Sequence, residues 1–208
     1  MTLSHPGTLT GRLVALEPLA EEHRDGLVEA VRDGELWRAW FTSVPTPDGM
    51  GDEILRRLRL QEEGSMIPFA ARRLDTGALI GMTTFMNIDA SVPRVEIGST
   101  WNALSAQGSG TNPESKLMLL RHAFEVWDCP AVEFRTDFLN QQSRAAIARL
   151  GAKQDGILRA HKRMPGYVRD TVVFSILQHE WPGVRTGLEA RVLRHLERRG
   201  EPMPPQLG

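Results

Sequence analysis

Gln107-Gly108-Ser109-Gly110-Thr111-Asn112, running into Pro113-Glu114-Ser115-Lys116, is the stretch whose reading decides the fold. Its two glycines free the backbone to curl. Asn112 is expected to cap a helix and Pro113 to fill its first position, where no N–H is required. From Leu117 apolar residues recur at helical spacing through Leu120, Phe124 and Trp127. A small-residue loop feeding a helix start presents unpaired backbone N–H groups at the positive end of the helix dipole. That is an anion site, with phosphate the leading ligand. Taken alone, the loop reads equally well as an ordinary glycine-rich turn.

The flanks carry regular patterns. Upstream, Arg94 to Trp101 alternates Val95, Ile97 and Ser99 against Glu96, Gly98 and Thr100, as a strand does. Before it, Ile67 to Arg72 and Ala78 to Ile88 flank the turn signal Asp75-Thr76-Gly77, and the three segments suggest an antiparallel meander. Further upstream come a strand over Leu9 to Leu19, an amphipathic helix over Ala20 to Arg32 and a helix over Asp48 to Glu63. That last helix is expected to bury Ile54, Leu55 and Leu58, with Leu60 a further candidate. Between the two helices, Glu35 to Phe41 is a short aromatic piece.

Downstream, Pro130 closes the helix and Ala131 to Thr136 reads as a strand. Asn140 to Leu150 is a helix with Asn140 as cap, Ala146, Ile147 and Leu150 as buried positions and Gly151 as its stop. Lys153 to Met164 and Tyr167 to Gln178 form a hairpin through Pro165-Gly166. A last helix opens at Trp181-Pro182 and lines up Leu188, Val192 and Leu196. Met1 to Thr8 reads as a loose leader, and the proline-rich Glu201 to Gly208 as a disordered tail.

With 208 residues, 41% of them hydrophobic and 25% charged, the chain has room for one ordinary globular core. A net charge of -1 gives no footprint for nucleic acid. No apolar run reaches membrane-spanning length, and the start lacks an export signal. A lone cysteine, Cys129, excludes an intrachain disulfide, so a cytoplasmic location is expected. The six histidines are scattered without metal-ligand spacing, and no metal is expected.

The order strand, two helices, three strands, glycine loop into helix, strand, helix, hairpin resembles the GCN5-related N-acetyltransferases (GNAT), in particular their RimJ/RimL-type branch. Val95-Glu96-Ile97-Gly98, the Gln107 loop, Asn140-Gln141-Gln142-Ser143, Arg149-Leu150-Gly151-Ala152 and Arg169-Asp170-Thr171 through Phe174-Ser175-Ile176 carry the resemblance. It implies an α+β fold: a mixed, mostly antiparallel twisted sheet of roughly seven strands, splayed in the middle and flanked by helices. A single domain over residues 1–208, with its core at 9–181, is expected. The resemblance also implies an acetyl-CoA-dependent N-acetyltransferase acting on a primary amine, on a protein N-terminus or a small molecule. Two alternatives are a non-catalytic acyl-CoA-binding module and an enzyme using another acyl-CoA such as succinyl-CoA. A homodimer is left open.

The resemblance assigns Gln107, Gly108, Ser109, Gly110, Thr111 and Asn112 to the pyrophosphate. Asn112 departs from the family pattern, which has a small residue there. Glu114 is expected to face solvent, since it would repel a pyrophosphate. Asn140 is expected to contact the pantetheine arm, and Ser143 to lie near the sulfur as a proton donor to the thiolate. An amine with a pKa of about 10 needs a base near neutrality. Glu96, beside the loop, is the candidate, with an ion pair to Arg94 or Arg135 as the ordinary explanation. Trp37, Trp40 and Phe41 are expected to line the acceptor pocket, with at least one of them core, and Trp101 is free to face either core or pocket. Tyr167 suits an acceptor-side contact better than catalysis. Cys129 reads as packing, and Arg159, His161 and Arg163 as a solvated strand face.

Overall fold

The computed structural model describes residues 3–200. The proposed tail and the first two residues of the leader lie outside that range. Eight strands form one sheet: β1 (Leu9–Thr10), β2 (Val14–Pro18), β3 (Met66–Arg73), β4 (Leu79–Asp89), β5 (Arg94–Asn102), β6 (Ala131–Asp137), β7 (Lys153–Met164) and β8 (Tyr167–Leu177). Their order is β1-β2-β3-β4-β5-β6-β8-β7, antiparallel except for the β5–β6 pair. Five α-helices complete the chain: α1 (Arg24–Arg32), α2 (Met50–Glu62), α3 (Thr111–Arg121), α4 (Gln141–Ala148) and α5 (Trp181–Arg198).

One expected strand is two. Gly11-Arg12-Leu13 turns the chain, Gly11 N–H donates to the Val14 carbonyl at 2.9 Å, and β1 folds back on β2. This adds the eighth strand. α2 also departs from its pattern: Leu55 is 51% exposed, while Met50, Ile54 and the guanidinium-bearing Arg57 are buried. The apolar residue is turned out because Arg57 reaches the sheet instead. α3 does not run unbroken to Asp128; it passes into a π-helical turn over His122–Val126. In α4, Ile147 is buried as expected and Ala146 is half-buried, while Leu150, expected in the same helix, is buried in the turn just past its end.

Helices cover both faces. Arg57 of α2 donates to Thr84 Oγ1 at 2.8 Å, and Lys116 of α3 donates to Thr83 Oγ1 at 2.8 Å. Adjacent strand residues point to opposite faces, so α2 and α3 lie on opposite sides of β4. The core includes Phe69, Phe85, Leu119, Leu120 and Ile176, all essentially sealed from solvent. Phe85 and Trp127 pack with ring centroids 4.6 Å apart.

Two features of β5 position the site. Its parallel pairing with β6 lasts for three residue pairs, ending at Glu96 opposite Glu133. Beyond them Ile97–Asn102 remains paired to β4 only, and Phe134–Asp137 to β8 only, so the sheet splays. β5 also carries a bulge, where Gly98 faces Thr84 but Trp101 faces Met82, with Ser99 at φ +47°.

Candidate active site

The two parallel strands part at their C-terminal ends, and each leads into a helix start: β5 into α3, β6 into α4. A crevice outside the carboxyl ends of diverging parallel strands is where open α/β sheets place ligands. The two helix starts meet there. Gln142 Nε2 donates to Gln107 Oε1 at 3.2 Å, joining the glycine loop to the Asn140 turn.

α3 begins at Thr111, one residue before the expected start, so Gly110 rather than Asn112 occupies the capping position. The backbone decides this. Gly110 holds φ +92°, and a Cβ there would lie 2.7 Å from His195 and 2.9 Å from Leu13. Pro113 accordingly sits inside the first turn, which also lacks N–H partners. Ser109 and Thr111 hydroxyls turn inward, bonding the Ala106 carbonyl at 2.6 and 3.4 Å. The N–H groups of Gly108, Gly110, Thr111 and Asn112 meet no protein acceptor among the described residues. Four free donors at a helix start form an anion cradle.

Glu114 is not solvent-facing, as the sequence suggested; it is 4% exposed. Its carboxylate accepts from the backbone N–H groups of Arg12, Leu13 and Val14 at 2.8, 2.7 and 3.0 Å. The β1–β2 turn supplies three donors that would otherwise be orphaned in the interior. Gly11 makes room, since a Cβ there would lie 2.4 Å from the Glu114 carboxyl. The negative charge is thereby aimed away from the cradle.

Asn140 caps α4 as expected, its Oδ1 accepting from Ser143 N at 2.9 Å. No described protein group hydrogen-bonds the Ser143 hydroxyl. Its side chain is half-buried beside the crevice.

Glu96 is 6% exposed and sits at the last paired position before the splay. Asn87 Nδ2 donates to its Oε2 at 2.6 Å, and Arg135 Nε lies 3.6 Å away. Arg94 does not pair with it; Arg94 and Arg135 both engage Glu133. Burial therefore pushes the Glu96 carboxyl above its ordinary range, with Asn87 and Arg135 pulling partly back. Gly98 leaves space for the group, as a Cβ there would fall 2.9 Å from Glu96 Oε1.

The β5 bulge is gripped from both faces. On one, Arg57, only 2% exposed, donates to the Ser99 carbonyl at 3.1 Å and to Glu53 Oε1 at 2.7 Å. On the other, Lys116 Nζ donates to Thr83 and Thr100 hydroxyls at 2.8 Å each. Lys116 has no carboxylate partner among the described residues, and burial lowers its pKa to about 7. The bulge's extra residue also shifts the strand alternation, so Trp101 points to the α2 face. It is buried in the core at 5% exposure, not in a pocket wall.

Beside Glu96 a cavity of about 410 Å³ opens on the α2 face, lined by Ser43, Glu53, Arg56, Asn87, Ser99 and Lys162 among others. Trp37 packs on the core, Phe41 is half-buried and Trp40 is 60% exposed. Trp40 meets Tyr167 edge to face at 5.1 Å. Tyr167 Oη donates to Asp137 Oδ2 at 2.6 Å, and burial with this partner pushes its pKa up to about 12. A second depression of about 470 Å³, between α1 and β3, is remote from the splay. Its Glu17 is already paired with Arg72 at 2.6 Å and His23 at 3.1 Å.

The structure thus gathers the Gln107 loop, Asn140 and Ser143 at one end of the crevice and Glu96 at its root. Asn87, Arg57, Asp137 and Lys162 were missed by sequence reasoning, whereas Arg135 was named there as a partner of Glu96 and lies 3.6 Å from it. Only a β-bulge prediction could have marked Asn87 and Ser99, and neither is a glycine. Cys129 is buried, its thiol pushed up to about 11, as packing requires.

Residues 13–153 match the family model described as Acetyltransferase (GNAT) domain. YdaF of Bacillus subtilis (strain 168), whose name proposes a ribosomal N-acetyltransferase, is 32% identical over 107 residues. That match covers 51% of this chain and 58% of YdaF. A crystal structure of a protein from T. thermophilus, proposed to be an acetyltransferase, superposes with TM-score 0.79 at 34% identity, covering 90% of this chain and 98% of that one. Mycobacterium smegmatis RimJ, solved with CoA-disulfide, shares the fold with TM-score 0.73 at 20% identity, covering 95% of this chain and 98% of RimJ. No described helix is long and apolar enough to cross a membrane.

Proposed function

The chain belongs to the GNAT acetyltransferase family, and from that premise we propose that it transfers the acetyl group of acetyl-CoA to a primary amine by direct attack in a ternary complex. Family membership implies acetyl-CoA as the acyl donor. The observation that carries the reading is the splay, with β5 and β6 diverging at Glu96–Glu133 into two helix starts joined by Gln107 and Gln142.

In this reading the free N–H groups of Gly108, Gly110, Thr111 and Asn112 hold the pyrophosphate, with Gln107 and Ser109 shaping the loop. Asn140 contacts the pantetheine arm, and the thioester lies in the gap. The acceptor enters from the α2 face past Trp37, Trp40 and Phe41. Glu96 takes a proton from the ammonium, and the neutral nitrogen attacks the thioester carbon. The C–N bond forms, the C–S bond breaks, and the proton shed by nitrogen ends on the departing sulfur, with the Ser143 hydroxyl as relay. A carboxyl held above its ordinary pKa by burial is suited to that exchange near neutrality. The β5 bulge, held rigid by Arg57 and Lys116, keeps the gap open without rearrangement. The name of YdaF keeps a protein amine among the acceptors. The lone unpaired cysteine supports work in the cytoplasm.

The test is binding followed by turnover. Acetyl-CoA at 100 times its Kd should stabilise the fold by about 2.7 kcal/mol, and amines should then release free thiol. Absence of any thermal shift and of calorimetric heat removes the donor assignment. Binding without thiol release from a broad amine panel supports a non-catalytic module instead.

A further inference from the structure

We propose that the acceptor carries an anionic group, a carboxylate, beside its reacting amine, and that Lys162 with Arg56 forms the subsite receiving it. The inference rests on the transferase reading above and names the substrate class of the same site.

The cavity next to Glu96 measures about 410 Å³, the size of a small-ligand pocket. Its charges do not balance. Arg56 and Lys162 line it, and Arg57 backs it through Glu53 and Ser99. The facing carboxylate, Glu53, is shared by two guanidiniums: Arg56 Nε and Nη2 at 2.7 and 2.9 Å, and Arg57 Nε at 2.7 Å. Three cations thus meet one carboxylate. Even with Glu96 ionised at the cavity's edge, positive charge stays in excess.

Lys162 makes this excess usable. It is exposed, and no carboxylate lies within ion-pairing distance of it among the described residues. Its field reaches Glu96, where it favours the ionised carboxyl. It stands just beyond a bulge in β7, where Ala160 holds φ +50° and Ala160 N donates to Asp170 Oδ1 at 2.7 Å. Arg56 Nη1 meets no acceptor among the described residues, while its other nitrogens are fixed by Glu53. An ammonium delivered to Glu96 enters this field at a cost unless it brings its own negative charge. A polyamine is therefore disfavoured, and an amine with a nearby carboxylate is favoured.

Thiol release from acetyl-CoA would be compared for an α-amino acid, its carboxamide, the decarboxylated amine and spermidine. A fifth acceptor is a peptide with an acidic second residue, beside the same peptide with that acid amidated. The free acid is expected to exceed its carboxamide in kcat/KM by about 10-fold or more, as a charge-assisted contact allows. Lys162→Met should bring that ratio close to one. The peptide pair shows whether the carboxylate belongs to a free amino acid or to a chain end. Equal or better turnover of the carboxamide or of spermidine overturns the subsite and leaves the transferase reading standing. If no amine turns over, the hydroxy-acid analogue is titrated into the acetyl-CoA-saturated protein. Thermal stabilisation of the native chain, lost in Lys162→Met, keeps the subsite while the transferase reading fails; no stabilisation overturns the subsite.

Discussion

Two buried glutamates a short distance along the chain show opposite solutions to one problem. At the start of α3, Glu114 is met by three backbone N–H groups of the β1–β2 turn. At the end of the β5–β6 pairing, Glu96 is met by one amide at 2.6 Å and a guanidinium at 3.6 Å. The first arrangement gives both carboxylate oxygens fixed donors and pins the anion cradle to the far edge of the sheet. The second leaves a carboxyl under-satisfied at the mouth of a cavity, with its pKa raised by burial. A buried charge fully provided for is architecture; one half provided for is available to exchange a proton.

Breaking the first arrangement has the largest effect. Glu114→Ala leaves the N–H groups of Arg12, Leu13 and Val14 without their acceptor and should cost about 3–5 kcal/mol, read as a lower denaturation midpoint, with acetyl-CoA affinity falling as α3 loosens. A midpoint within experimental error of the native chain would mean that water replaces the carboxylate, and the contrast would collapse.

Breaking the second should spare the fold and stop the reaction. Glu96→Gln is expected to lower kcat about 100-fold or more, with acetyl-CoA Kd changed little. Between the ordinary carboxyl pKa and the raised one, the folded chain holds a proton that the unfolded chain has lost. Stability therefore falls as pH rises through that window, and above it the buried carboxyl is a net cost. Glu96→Gln should thus melt no lower than the native protein at pH 7. The acidic limb of the rate profile should disappear with it. A retained limb assigns the proton to another group.

The same contrast explains what could be read in the chain. The strand order, the glycine loop and the Asn140 cap were legible because each rests on local backbone rules: alternation, φ above zero, a side-chain oxygen for a helix N–H. The fate of Glu114 was not, since its partners lie about a hundred residues away at a turn that reads as continuous strand from Leu9 to Leu19. Trp101 was ambiguous for a related reason. The bulge at Ser99 changes the face of every following residue, and serine at φ +47° leaves no mark in composition. The cavity beside Glu96 was the least legible part. Its lining comes from α2, β3, β4, β5, β7 and the loop at Ser43, and Lys162 looks like any lysine on a strand of exposed, charged residues.

Lys116 joins the two regions and sharpens the comparison with the smallest effect. It lies two residues after Glu114 on α3, and its ammonium reaches Thr100 on the strand of Glu96. Here burial acts on a cation, lowering its pKa to about 7 from 10.5. Between those values the unfolded chain carries a proton that the folded chain lacks, so stability climbs with pH across the window. Below pH 7 both states are protonated and the burial cost is fully present. Lys116→Met removes the titration while Thr83 and Thr100 keep their mutual bond at 2.8 Å. The native chain should therefore gain about 2 kcal/mol relative to Lys116→Met between pH 7 and 9, measured by chemical denaturation at both values. Parallel slopes for the two proteins would mean that the ammonium stays charged inside the sheet, held by two hydroxyls alone. The bulge would then be clamped by two permanent cations, Arg57 and Lys116, instead of one cation and one amine.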